Sequence, residues 1–61
     1  MPIILIEIAE GRTNEQKALL AKEITKSVSE IFKVDKDRVT IIFHESPKTH
    51  IARAGVMMES K

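Results

Sequence analysis

Residues 2–17 read PIILIEIAEGRTNEQK, and they hold the strand and the helix start from which the rest of the fold follows. The first eight of these residues are rich in isoleucine and alternate between two faces, as a β-strand does. One face carries Ile4, Ile6 and Ile8, and the other carries Ile3, Leu5 and Glu7. A strand that is apolar on nearly both faces is typical of a sheet covered on both sides, as parallel strands usually are.

The second half of this stretch predicts the start of a helix. Thr13 and Gln16 have the spacing of a capping box, in which a hydroxyl and a side-chain amide satisfy two of the first free N–H groups of a helix. Apolar residues then recur at helical spacing, namely Leu20, Ile24, Val28 and Ile31, with Ala21 and Phe32 widening the stripe. We expect one amphipathic helix of about five turns, which ends at the polar segment VDKD, residues 34–37.

A second strand is predicted over residues 39–44, VTIIFH, which combine β-branched residues with an aromatic. Strand, helix, strand is a βαβ crossover, which makes the two strands parallel and packs the helix across one face of the sheet. The predicted fold class is therefore α+β, a single βαβ subunit with two parallel strands and one long helix, and residues 1–61 form one domain. After Pro47 the chain has little pattern beyond an expected turn around Ala54 and Gly55 and a short pairing segment that holds a neighbouring copy.

The composition indicates that copies of the chain complete the fold. A chain of 61 residues hides on folding only ~60% of the surface that its unfolded form exposes, and no cysteine is present for a disulfide. Two strands are not a stable sheet, and one of their apolar faces has nothing left in the chain to cover it. We expect a homo-oligomer whose subunits cover that face for one another.

Charge and composition argue against several other classes of partner. Lys and Arg number 10 against 9 Asp and Glu, a net charge of +1 without a concentrated basic face, which argues against nucleic acid. The apolar start is only about seven residues long, too short for a signal peptide or a membrane span. We therefore expect no membrane association and a cytoplasmic location. His44, Glu45 and His50 lack a recognised spacing of zinc ligands, so no metal is expected.

Pro2 is the first candidate for chemistry. Methionine is normally trimmed when a small residue follows it, and Pro2 would then carry a free secondary amine. Free α-amino groups titrate at ~7.7–8.0, and burial and nearby cations lower that pKa toward the range in which general bases work best. Such an amine can take a proton from carbon beside a carbonyl, and Arg12 lies where a cation can hold the substrate. With Met1 attached, the Pro2 nitrogen is a tertiary amide and cannot be a base. The alternative is that Pro2 simply starts the strand and Arg12 is a surface residue.

The pattern P-I-x-x-I-x-I-x-E-G-R-T-x-E-Q-K at residues 2–17, the chain length and I-I-x-x-E-x-x-K-x-H at residues 41–50 closely resemble the 4-oxalocrotonate tautomerase family. The resemblance implies a βαβ subunit assembled as a homohexamer, a trimer of dimers, with tautomerase activity and no cofactor. In that family the amino-terminal proline moves a proton between the hydroxyl of a 2-hydroxydienoate and its carbon chain, which gives the 2-oxo form. By position, Pro2 matches this base, and Arg12 matches the arginine that binds a substrate carboxylate.

Other family positions do not match. The family's second arginine, which draws electron density toward the 2-oxo and carboxylate end, falls on Thr40, and the aromatic that walls the substrate pocket falls on Ile51. The glycine-rich G-x-G-G is here ARAG, residues 52–55. Two residues are candidates to replace the missing cation. Arg53 occupies a loop position that faces the pocket in the family, and Arg38 shares a face with Thr40 if the second strand extends that far. We favour Arg53, the alternative being that both are surface charges.

Three functions remain open on this basis. The first is an enol–keto tautomerase, an isomerase of a small 2-hydroxy or 2-oxo carboxylate. The second is a hydratase or dehalogenase of unsaturated acids, in which a protonated Pro2 acts as an acid and a carboxylate activates water, although Arg53 stands where that carboxylate is expected. The third is a non-catalytic oligomeric protein on the same scaffold, which native retention of Met1 would favour.

Overall fold

The computed structural model of the protein describes residues 1–58, so residues 59–61 of the predicted domain lie outside the described residues. Its main elements are β1 (Ile3–Ala9), α1 (Asn14–Phe32) and β2 (Thr40–Ser46). β1 and β2 pair in parallel over their whole length, with Ile3 opposite Thr40. The predicted βαβ unit is confirmed. β2 ends two residues later than its sequence pattern indicates, because β1 offers ladder partners as far as Ala9.

The start of α1 is the capping box that the sequence predicts. The Gln16 backbone N–H donates to the Thr13 hydroxyl at 3.0 Å, and the Thr13 N–H donates to the Gln16 side-chain oxygen, also at 3.0 Å. Gly11 has a φ of 123°, which favours glycine and lets the chain turn from β1 into α1. The helix ends where Lys33 adopts a left-handed φ of 60° and donates its N–H to the Ser29 carbonyl.

α1 covers one face of the two-stranded sheet and leaves the other uncovered. Ile4, Ile6 and Ile8 are partly buried on the helix side, whereas Ile3 and Leu5 on the other side are 63% and 58% exposed. We call the uncovered side the open face. Its cross-strand rows are Ile3 with Thr40, Leu5 with Ile42, Glu7 with His44, and Ala9 with Ser46. The alternation predicted for β1 is confirmed.

The chain has no closed hydrophobic core in the part described. None of the hydrophobic residues within residues 1–58 is buried. On α1, Leu20 and Phe32 of the predicted apolar stripe are exposed, and Ile31 is 74% exposed. Two strands about 5 Å apart cannot cover the stripe of a helix that is about 10 Å wide. The elements are therefore in place, but the apolar surface that should stabilise them is still open to solvent.

Short elements complete the described chain. They are 3₁₀ turns at Lys36–Arg38 and Lys48–His50, and strands β3 (Ala52–Arg53) and β4 (Val56–Met57). β3 and β4 form an antiparallel hairpin whose turn is Ala54 and Gly55, at φ values of 54° and 79°. The predicted turn is confirmed. The pairing segment pairs within the chain, and its contact with a neighbouring copy stays a prediction.

Candidate active site

Pro2 lies at the start of β1 and is partly buried. Its carbonyl accepts a hydrogen bond of 3.0 Å from the Thr40 N–H, which ties it to the start of β2. We call the space around it the proline cavity, about 250 Å³ in volume. It is lined by Met1, Pro2, Lys33, Val34, Asp35 and Arg38. A shallower depression beside it adds Phe32. Pro2 thus stands between a charged wall and an apolar wall.

A 3₁₀ turn, and not a strand, brings Arg38 to Pro2. Within this turn the Arg38 N–H donates to the Asp35 carbonyl at 3.0 Å. The turn leads the chain into β2, which starts beside the start of β1 because parallel strands begin at the same edge of a sheet. β2 itself starts at Thr40. The second strand therefore does not extend to Arg38, and Arg38 does not share a strand face with Thr40. Arg38 nevertheless lines the proline cavity.

Arg12 follows the other end of β1 and lies between two cavities. The larger, which we call the arginine cavity, is about 490 Å³ and is lined by Ile8, Ala9, Glu10, Gly11, Arg12, Lys48 and Met58. The smaller is about 290 Å³ and is lined by Ile8, Arg12, Gln16, Lys17, Leu20 and Phe43. Lys48 is a second cation beside Arg12 that was not among the predicted site residues. The sequence could have indicated this position of Lys48. Lys48 closely follows β2 and Arg12 closely follows β1, and the carboxyl ends of parallel strands meet at one edge of a sheet.

Lys17, the other cation near Arg12, is engaged in an ion pair. Its Nζ atom lies 3.0 Å from Glu45 Oε2, and the pair joins the first turn of α1 to the end of β2. Neither Arg12 nor Lys48 makes an ion pair with another residue in the described range, 1–58. These two are therefore the cations that the arginine cavity offers to an anionic ligand.

Pro2 and Arg12 lie at opposite ends of β1. The seven residues of the strand, at ~3.3 Å each, separate the two ends by roughly 23 Å. A small carboxylate cannot bridge that distance while making hydrogen bonds at both ends. A site that uses both residues must therefore take Pro2 from one chain and Arg12 from another.

Arg53 and Ile51 lie away from both ends. Arg53 is exposed on β3 and lines none of the cavities described above. Ile51 is partly buried, and its carbonyl accepts a hydrogen bond of 2.7 Å from the Met58 N–H. The structure of one chain brings neither residue to Pro2, so their predicted contacts with substrate stay predictions about an assembly.

Two further observations concern metals and membranes. Within the described part of the chain, no three His, Asp or Glu side chains come together as possible metal ligands. His44 instead places Nδ1 at 3.2 Å from Glu7 Oε1 on the open face. No helix in residues 1–58 has the length and hydropathy that crossing a bilayer requires.

Comparison with known proteins identifies the family of the chain. A family model described as tautomerase enzyme matches residues 2–61. A probable tautomerase of Lactococcus lactis is 39% identical over 61 residues, which cover 100% of both chains. The solved heterohexameric 4-oxalocrotonate tautomerase of Chloroflexus aurantiacus is 36% identical with a TM-score of 0.89, over 95% of this chain and 94% of that one. A solved homologue of 4-oxalocrotonate tautomerase reaches a TM-score of 0.95 at 26% identity, over 100% of this chain and 97% of that one. With its sequence matched from end to end and its βαβ fold shared, the chain belongs to the 4-oxalocrotonate tautomerase family.

Proposed function

We propose that this protein is a cofactor-independent tautomerase that interconverts the enol and keto forms of a small 2-hydroxy or 2-oxo carboxylate. Pro2 is the base, once Met1 has been removed. The observation that carries the proposal is the proline cavity, in which Pro2 opens β1 beside the cations Lys33 and Arg38, in a chain of this family. A terminal amine next to cations has the chemistry that proton transfer on such an acid requires.

The proposed reaction moves one proton. The Pro2 nitrogen takes the proton of the 2-hydroxyl group and returns a proton to the carbon chain, so that the enol becomes the ketone and no atom is gained or lost. Negative charge grows on the substrate oxygen as the proton leaves, and a fixed cation such as Arg38 stabilises it. Phe32 and Val34 provide an apolar wall beside Pro2, and a neighbouring copy that covers this wall would exclude water and strengthen these interactions.

The complete site is proposed to form between copies of the chain. Because Pro2 and Arg12 lie at opposite ends of β1, Arg12 and Lys48 of a neighbouring copy hold the substrate carboxylate. The open face supports self-association, since Ile3, Leu5 and Ile42 are all exposed on it. A similar protein of known structure is a heterohexamer. A homohexamer built as a trimer of dimers is the assembly that we propose for this chain.

Asp35 favours a second candidate, a hydratase or dehalogenase of unsaturated acids. It lines the proline cavity and provides the carboxylate that this chemistry requires. The carboxylate takes a proton from water, the hydroxide adds to one carbon of the double bond, and protonated Pro2 gives its proton to the other carbon. When the hydroxylated carbon also carries a halogen, the halide leaves and the hydroxyl group loses its proton, which gives a carbonyl group. Asp35→Asn separates the two functions, because it should abolish hydration of an unsaturated acid while ketonisation of an enol continues.

The test of the main proposal compares two forms of the protein that differ only in Met1, each verified by intact mass. We expect the methionine-free form to ketonise 2-hydroxymuconate or the enol of phenylpyruvate, and the form that retains Met1 to be inactive. In the methionine-free form, Pro2→Ala should lower the rate by a factor on the order of 10²–10⁴, with some activity left because a primary amine still accepts a proton.

The control is that all forms show the same helical circular dichroism and the same sedimentation coefficient. Equal rates with and without Met1 would exclude the amine as the base. Inactivity of both forms on every enol and unsaturated acid tested would favour the non-catalytic oligomeric protein.

A further inference from the structure

The Glu7–His44 pair has no part in the proposed reaction. Glu7 and His44 are cross-strand partners on the open face, with Nδ1 and Oε1 3.2 Å apart and side chains that are 66% and 63% exposed. The two rows on one side of this pair, with Ile3, Leu5 and Ile42, are apolar apart from Thr40, and the row on its other side is Ala9 with Ser46. A carboxylate and an imidazole thus adjoin an apolar strip in one plane.

Because neighbouring rows are close together, any interface that covers the apolar residues Leu5 and Ile42 also contains the Glu7–His44 pair. Rows on the same face of a strand are about 7 Å apart. A typical interface covers about 800 Å² on each partner, so a partner that covers Leu5 and Ile42 also covers Glu7 and His44. An exposed contact between a carboxylate and an imidazole adds little to the stability of one chain. A buried carboxylate, in contrast, needs a partner, and His44 supplies one.

A second copy of the chain is the occupant that fits this face. Each copy presents both an acid and an imidazole, so two copies whose charged rows meet offer each group a second partner of the opposite kind. A packing shifted by one row sets the Glu7–His44 row against Leu5 and Ile42 or against Ala9 and Ser46, and neither row carries a charged side chain. Because no hydrophobic residue within residues 1–58 is buried, the chain also needs a partner that is always present, and its own copies meet that need.

We propose that the Glu7–His44 pair lies inside the interface between copies of this chain and fixes the register of that interface. This inference rests on the self-association in the proposed function. Registers that place this row on uncharged rows bury the Glu7–His44 pair without the additional partners that offset its desolvation, and they are disfavoured for that reason. Buried polar groups select one register in the same way in coiled coils, at some cost in affinity.

Sedimentation velocity over a concentration series tests this proposal on the parent and three variants. His44→Leu should raise the dissociation constant of the assembly by about 100-fold or more, because it leaves the Glu7 carboxylate buried alone. Glu7→Gln should raise the constant less, since a neutral amide and an imidazole still form a hydrogen bond. Glu7→Leu with His44→Leu should return the constant to within about tenfold of the parent, but give more than one assembled species.

The matched control is His50→Leu, which removes an exposed histidine outside the open face and should leave the constant unchanged. If His44→Leu does not fold, adding Glu7→Gln must restore folding and assembly, because it removes the lone charge. A parent chain that stays monomeric would overturn self-association itself. If the parent assembles and His44→Leu assembles equally well, this proposal alone is wrong. It is also wrong if the double variant, Glu7→Leu with His44→Leu, forms a single assembled species or keeps the raised dissociation constant of His44→Leu.

Discussion

At the scale of single residues, Arg38 and Arg53 compete for the place of the family arginine that is missing at Thr40. Both are exposed, but Arg38 lines the cavity that contains Pro2, whereas Arg53 on the hairpin lines none of the cavities described above. In the methionine-free protein we expect Arg38→Ala to lower kcat by about 10²–10³, as removal of a donor to developing charge does. Arg38→Lys should keep part of the rate, because lysine keeps the charge without the planar fork.

Arg53→Ala is the comparison variant in the same steady-state assay. If it lowers kcat more than Arg38→Ala does, the sequence-based preference for Arg53 is right, and the hairpin of another copy reaches the site. If it leaves kcat and KM unchanged, Arg53 is a surface charge.

Arg12 should act in binding more than in the chemical step. It lies in the arginine cavity beside Lys48, so both can hold a substrate carboxylate before any proton moves. We expect Arg12→Ala to raise KM with a smaller change in kcat, which is the pattern of lost ground-state binding. Arg12→Lys should recover only part of the affinity. Steady-state kinetics on a monocarboxylate and a dicarboxylate measure this, and an Arg12→Ala variant that loses kcat alone contradicts it.

Part of this site could be predicted from the sequence. Pro2 and Arg12 lie in a contiguous motif, and motifs are visible without knowledge of the fold. Arg38 was a predicted candidate on the assumption that the second strand reaches it, but the 3₁₀ turn that brings Arg38 and Asp35 beside Pro2 could not be predicted, because three residues show no periodicity. Lys48 lies in the motif at residues 41–50, but the motif does not show that Lys48 is close to Arg12. That proximity arises because the ends of the two parallel strands meet.

At the scale of elements, the β3–β4 hairpin carries a strained residue. Ala54 has a φ of 54°, a left-handed conformation in which a Cβ atom is disfavoured. We expect Ala54→Gly to relieve this strain and to raise the free energy of unfolding by about 0.5–1 kcal/mol, which is a few degrees in Tm for a chain of this size. Differential scanning calorimetry at a fixed chain concentration measures the change.

Ala52→Gly is the matched control, because φ at Ala52 is not positive and added backbone freedom there should destabilise the protein. Equal Tm shifts for the two variants would mean that the turn is not strained.

The elements themselves were predictable where local rules decide them, as at the Thr13 capping box and in the alternation of β1. The extent of β2 was not, because pairing with β1 sets where it ends.

At the scale of the whole molecule, the separation of Pro2 and Arg12 predicts complementation between inactive chains. Pro2→Ala and Arg12→Ala chains are each expected to be impaired alone. When they are mixed in equal amounts, dissociated and reassembled, roughly a quarter of the sites should regain both residues if chains combine at random. Activity measured before and after reassembly tests this. Activity that stays at the average of the two separate variants shows that the two residues do not meet in one site.

The two ends of β1 also bear on how such a protein can evolve. After a gene duplication, one gene can lose the proline cavity and the other the arginine cavity through independent mutations, since the two lie roughly 23 Å apart along a strand. If the active site takes Pro2 from one chain and Arg12 from another, as we propose, neither product would work alone, the two would remain active together, and selection would retain both genes. The Chloroflexus aurantiacus tautomerase, a heterohexamer, shows that this fold assembles from unlike chains. A division of labour between paralogues is therefore open to any lineage that duplicates this gene.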